Sequence, residues 1–134
     1  MLKLEIVTPE KRVFDAEVDS VTVPTASGEA GIFPNHAPLV SALKPGILSY
    51  SQKGGSEKLA VSGGFVEVSG NKVSVLADTA ETSDEVDLDL ARTDREAAEK
   101  ALAAAASSPV EENAPLQQKL ESANARIAIS GAAK

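Results

Sequence analysis

Residues 63–78 read GGFVEVSGNKVSVLAD, and this stretch decides the class of fold. Val66 and Val68 alternate with Glu67, Val73 and Val75 alternate with Ser74, and Gly70-Asn71 separates the two runs. A period of two marks a strand with one buried face. A two-residue turn containing Gly and Asn is a strong signal for joining two such strands as a hairpin. Gly63-Gly64 in front of the first run reads as a turn.

The same period extends toward the N-terminus. Leu59 and Val61 precede the glycine pair, and Ile47, Leu48 and Tyr50 precede a polar turn at Lys53-Gly54-Gly55. Val18, Val21 and Val23 run into Pro24, and Leu2, Leu4 and Ile6 alternate with Lys3 and Glu5 before Thr8-Pro9. Short strands at this spacing, with turn residues between them, indicate an all-β sandwich or barrel over residues 1–86. With three Phe, one Tyr and no Trp, its core must be built from Val, Leu, Ile and Ala.

Residues 27–46, SGEAGIFPNHAPLVSALKPG, hold three prolines, three glycines and the chain's single histidine. Pro34 and Pro38 bar helix and push the preceding residues toward extended geometry. The expectation is a stiff, exposed connection that ties Phe33 and Leu39 into the core and turns Glu29, Asn35 and His36 outward. A loop this constrained usually presents something to a partner. The alternative for His36 is a loop side chain bonded to neighbouring backbone.

Beyond Asp78 the character changes. Residues 79–85 read as a polar, acid-rich connector, and its run of Asp78, Glu81, Asp84, Glu85, Asp87 and Asp89 lacks the ligand-and-glycine spacing of a calcium loop. Asp87 is a natural N-cap, and Asp89 falls in the first turn, where negative charge suits the helix dipole. Residues 88–106 are strong helix formers, a rod of about 28 Å. Ser107-Ser108-Pro109 reads as its stop. Asn113 is placed to cap a second helix over residues 114–130, with Pro115 in its first turn and Gly131 past its end. The helices should form an antiparallel hairpin over 87–134. Its seam pairs Leu88, Ala91, Arg95, Ala98, Leu102 and Ala105 with Leu116, Leu120, Ala123 and Ile127. Alanine seams bury little area, so the hairpin should be only lightly held, as switching elements are.

The chemistry excluded is as informative. The net charge of −7, with 12 acids against 7 bases in residues 1–86 and 8 against 6 in 87–134, argues against a nucleic acid partner. No run approaches the roughly 20 apolar residues of a membrane helix, and the N-terminus alternates where a signal peptide would be continuously apolar. The absence of cysteine removes disulfides and thiolate metal sites, and one histidine makes no His-rich metal site. His36 is the only imidazole base, with nothing like a nucleophile elbow near it. Gly28 to Gly31 and Gly63-Gly64 open no helix, as a phosphate loop must. No catalytic residue and no metal ligand is expected.

The segments GEAGIFPNHAPL at 28–39, GGFVEV at 63–68 and LDLARTDREAAEKAL at 88–102 together resemble the epsilon subunits of bacterial and chloroplast F-type ATP synthases, over nearly the whole chain. The resemblance implies an α+β protein, a flattened sandwich of about ten short strands followed by the two-helix hairpin. It implies a non-catalytic subunit of the central stalk that couples ion flow through the c-ring to ATP synthesis. The sandwich would contact the gamma subunit and the c-ring, with Glu29 and His36 on the c-ring side. The extended hairpin would reach the alpha and beta catalytic subunits and inhibit ATP hydrolysis, using basic residues such as Lys119, Arg126 and Lys134. Membrane association would be indirect, at the cytoplasmic face of the bacterial inner membrane. No cofactor is required. ATP as a regulatory ligand is implied by the motif match at Leu88, Asp89 and Arg92, with Arg126 on the facing helix, although Thr93, Ser83 and Ser122 depart from that motif. A free-standing sandwich module that recruits partners through a coiled-coil hairpin is the alternative. A small hydrolase built on His36 is a third.

Overall fold

The computed structural model describes residues 1–105 and 110–130. Eight strands precede two helices: β1 Leu2–Val7, β2 Arg12–Val18, β3 Ser20–Thr25, β4 Gly28–Ile32, β5 Leu39–Ala42, β6 Gly46–Gln52, β7 Gly55–Ser69, β8 Lys72–Thr82, α1 Leu88–Ala104 and α2 Val110–Ile129. β7 and β8 are long because each serves two layers. The first half of β7 pairs with β6 and the second with β5, while β8 pairs with β1 through Lys72 to Leu76. One layer is therefore β2, β1, β8, β7, β5 and the other β4, β3, β6, β7, β8. Counting each half separately yields the ten short segments that the family resemblance implies.

The bend that makes this possible is at Gly63-Gly64, which is not a turn between strands but a corner within one. Both glycines have positive φ, 59° and 100°. The β7–β8 register is unchanged through the corner, from Ser62↔Thr79 to Gly64↔Ala77, with only the Gly63–Asp78 pair missing between them. A Cβ on Gly64 would overlap the Leu76 carbonyl oxygen, and one on Gly63 would overlap the Asp78 carboxylate. Only glycine combines that backbone angle with that approach.

Alternation then assigns the faces. Leu2, Leu4, Ile6, Val18, Val66, Val68, Val73 and Val75 of one layer meet Val21, Val23, Ile32, Leu48, Leu59 and Val61 of the other in one buried core. Phe14 and Tyr50 meet across the layers with ring centroids 4.5 Å apart. The outward residues Ile47 and Ala60 of the second layer, with Val86, receive Ala125 and Ile129 of α2. α1 packs on α2 through Ala91 and Ala98, which are buried, along the seam expected from the sequence.

Several local expectations are corrected. Residues 27–46 are not one connection, since β4 and β5 lie within them and only 33–38 loops out. Ile32 occupies the core, which the period of two makes incompatible with Phe33 doing so, and Phe33 is 62% exposed. Leu39 does pack against the core. The polar connector is shorter than expected, because β8 continues to Thr82. Asp87 caps α1 by accepting the Leu90 N–H at 3.1 Å. α2 begins at Val110, so Pro115 lies inside the helix and Asn113 does not cap it. Asn113 instead donates from Nδ2 to the Ala105 carbonyl at 3.3 Å, at the C-terminal end of α1. The expected signals at Ser107-Ser108-Pro109, Gly131 and Lys134 lie outside the described residues.

Candidate functional site

Three surfaces stand out. The first is the outer face of the β2–β1–β8–β7–β5 layer, opposite the face that α2 covers. The registers Ala42↔Phe65, Phe65↔Leu76 and Leu76↔Val7 line up an apolar row across four strands. Phe65 is 58% and Leu76 57% exposed, and Val40 beside them is 70% exposed. Val7, Pro9, Phe65 and Leu76 line a shallow groove of about 370 Å³. Side chains of this size in solvent on a sheet face mark a contact surface. The signal was present in the sequence: Phe65 and Leu76 are out of phase with the buried valines on either side.

The second surface is the 33–38 loop. Asn35 sits at φ 67° and donates its N–H to Asn71 Oδ1 at 2.8 Å, while the Asn71 carbonyl accepts the Lys3 N–H at 2.8 Å. One turn residue of the β7–β8 hairpin thus holds both the loop and the start of β1. His36 is half-buried, its N–H bonded to the Phe33 carbonyl and its Nδ1 2.6 Å from the Ala37 carbonyl. Glu29 is placed elsewhere. It is exposed on β4 opposite Pro24, and lines a groove against α2 with Lys44, Lys58, Glu121 and Asn124. The two residues share no hydrogen bond or groove among those described.

The third is the junction of the hairpin with the sandwich. Arg126 of α2 is 17% exposed, with Nε 2.8 Å from Glu81 Oε1 on β8 and Nη1 3.4 Å from Asp94 Oδ2 on α1. Nearby, Lys11 Nζ lies 3.2 Å from Glu85 Oε2. Glu85 also accepts the N–H and hydroxyl of Thr82, and these bonds, the backbone one first, hold its carboxyl below the usual range. Nothing in the sequence pointed to Glu81 or Asp94 as partners of Arg126, since they lie 45 and 32 residues away.

Residues 1–83 match the family described as the ATP synthase delta/epsilon chain, beta-sandwich domain. The chain belongs to this family. It is 52% identical to an ATP synthase epsilon chain of Desulfitobacterium hafniense strain Y51 over 99 residues, which are 74% of this chain and 75% of the relative. It is 44% identical to one of Nitratidesulfovibrio vulgaris strain DP4 over 130 residues, 97% and 96% of the two chains. A solved structure of Euglena gracilis mitochondrial ATP synthase, OSCP/F1/c-ring, matches with a TM-score of 0.76 at 25% identity, covering 95% of this chain and 79% of the other. An epsilon chain is a non-catalytic stalk subunit, associated with a membrane-bound complex. Among the described residues no helix is long and apolar enough to cross a membrane.

The epsilon-chain resemblance placed a nucleotide at Leu88, Asp89, Arg92 and Arg126. These four residues do not form a cradle. Leu88 and Asp89 occupy the first turn of α1, Thr93 donates its hydroxyl to the Asp89 carbonyl, and Arg92 is exposed. The groove between the helices, about 480 Å³, is lined by Asp94, Ala97, Ala98, Lys119, Ser122 and Arg126 among others, and by none of the other three. Arg126 already faces two carboxylates. As they stand, the residues do not fit a triphosphate.

Proposed function

We propose that this chain is the rotor-side subunit that joins the gamma subunit to the c-ring, and that its helical hairpin restrains ATP hydrolysis. The observation that supports the gamma contact best is the apolar row Ala42, Phe65, Leu76 and Val7. It lies on the face away from the helices, so a shaft docked there leaves the hairpin room to move. The bracing of 33–38 by Asn71 supports a load-bearing role for the loop, where rigidity is the useful property. Glu29 and His36 are retained as contacts on the c-ring side. The hairpin in its extended form would reach the alpha and beta subunits, with Lys119 and Arg126 as its described cations. Attachment is to the cytoplasmic face of the cell membrane through the complex. ATP as a regulatory ligand at Leu88, Asp89, Arg92 and Arg126 requires Arg126 to leave Glu81 and Asp94 first.

Two sets of variants in the assembled complex test these surfaces. Phe65→Glu with Leu76→Glu should lower co-purification with the ATPase by at least tenfold, the loss expected from burying two unpaired charges at an interface. The isolated chain should still unfold normally. Glu29→Lys and His36→Ala should leave the subunit bound but lower proton pumping per ATP hydrolysed. Retained assembly in the first pair removes the gamma surface, and unchanged pumping in both of the second set removes the c-ring contacts. A chain that fractionates alone would favour a free-standing sandwich module.

A further inference from the structure

Arg126 joins three elements at once by ion pairs: β8 through Glu81, α1 through Asp94, and α2, which carries it. Its Nη2 also donates toward Glu81 Oε2 at 3.5 Å. The side-chain exposures are 17% for Arg126, 28% for Glu81 and 47% for Asp94, so the pair with Glu81 is partly shielded from water. The apolar contact beside it is small, Ala125 and Ile129 resting on Ile47, Ala60 and Val86. With so few large side chains in that contact, an ion pair on Arg126 adds measurably to what holds the hairpin down.

We propose that Glu81 and Asp94 occupy on Arg126 the place a nucleotide phosphate would take, so that the hairpin of this chain closes without nucleotide. A phosphate entering the groove would have to displace two carboxylates from the guanidinium and remain beside them. Lys119 is the other cation lining that groove, and Asp94 lines it too. Like charge at this distance opposes a polyanion and leaves the internal carboxylates as the better partners. They need no diffusion and lose little freedom, since Glu81 is fixed in a strand and Asp94 in a helix. The closed form should then respond to ionic strength and not to ATP, because screening shortens to about 3 Å at 1 M salt.

The inference depends on the hairpin exchange proposed above only for its regulatory meaning. Closure itself is measurable on the isolated full chain, which has no cysteine of its own. Spin labels on Lys58→Cys and Asn124→Cys, which flank one groove between sandwich and α2, report the closed distance. Millimolar MgATP should leave the closed fraction unchanged. Glu81→Gln and Asp94→Asn, both isosteric, should each raise the open-to-closed ratio by about 1.5- to fivefold, the range of a partly exposed ion pair. NaCl near 1 M should do the same. Glu81→Arg combined with Arg126→Glu should restore closure relative to either change alone. A ratio indifferent to the two isosteric variants overturns the clasp, and a closed fraction raised by MgATP in the labelled parent overturns its independence of nucleotide. Neither result bears on the rotor reading, which depends on co-purification.

Discussion

The two halves of this chain are held by different physics. Inside the sandwich, Leu2, Leu4, Ile6, Val18, Val23, Ile32, Leu48, Val66, Val73 and Val75 are fully buried between layers that share two bent strands. Across the boundary to the hairpin, Ala60, Ala125 and Ile129 make the buried contact, and one arginine spans the rest. A fully buried Leu or Ile contributes roughly 1.5–3 kcal/mol, and a methyl about 0.8 kcal/mol. The body is thus a single stiff unit, while the hairpin rests on it through a contact of a kind that proteins can exchange. A subunit that must transmit force and also change shape benefits from keeping the two demands in different parts of the chain.

The largest break in the comparison should come from the corner that makes the body one unit. Gly64→Ala puts a Cβ onto the Leu76 carbonyl in a backbone at φ 100°. The backbone on which it collides belongs to β8 and cannot yield as a flexible side chain would. Strain and overlap together should cost about 3 kcal/mol or more, read as a lower urea midpoint for the whole sandwich. Gly28→Ala is the control, because φ there is 118° but nothing lies within 4 Å of the added carbon. It should cost about 1–2 kcal/mol, from backbone strain alone. Equal losses at the two glycines would mean that the corner is not special.

The opposite break should free the hairpin and spare the body. Ala60 points out of the sheet beneath α2, while its neighbours Leu59 and Val61 point into the core. Ala60→Glu adds bulk and a charge to the helix contact alone, a cost of about 1–3 kcal/mol. Hydrogen exchange in α2 should speed up by tenfold or more, with the urea midpoint of the sandwich nearly unmoved. A joint fall of both would show the two halves to be one cooperative unit.

Most of the body was legible in the sequence because its signal is local. Alternating valines, the Gly70-Asn71 and Lys53-Gly54 turns, and the Asp87 cap each act within a few residues, and each is found where local chemistry puts it. The corner was misread as a turn because two glycines between apolar runs look alike in both settings; only the partner strand at Leu76 and Asp78 distinguishes them. Phe33 looks like a core residue by hydrophobicity alone, but Ile32 beside it takes the inward position and the period of two turns Phe33 out. The start of α2 is hidden because Asn113 suits a cap and Pro115 a first turn, while the helix extends past both. At the junction, the α1–α2 seam was readable from spacing, but the second face of α2, Ala125 and Ile129, was hidden among alanines. Glu81, Asp94 and Arg126 are joined only by the fold, and no short-range pattern encodes such a meeting.

The finest test of the contrast lies at the boundary itself, in the connector at residues 83–87. Glu85 accepts the Thr82 N–H at 3.0 Å and the Thr82 hydroxyl at 3.1 Å, and meets Lys11 of the β1–β2 turn at 3.2 Å. These bonds favour the carboxylate, the Thr82 backbone bond most, and hold its pKa below the ordinary 4.5. A depressed folded-state pKa stabilises the fold above the unfolded value, and that contribution disappears as the pH falls through 4.5 toward the lower folded value. The side chain is 41% exposed, so screening limits the effect to at most about 0.5 kcal/mol. Glu85→Gln should therefore differ from the parent by a small amount at pH 7, read in the exchange of amides 83–87, and the difference should narrow below pH 4.5. The helices should close on the sandwich to the same extent in both, since Glu85 shares no bond with Arg126 among the described residues. If the variant opens the hairpin as widely as Glu81→Gln does, the boundary is held by the connector and not by the clasp, and the division of the molecule into a body and a lightly fastened arm moves to residue 85.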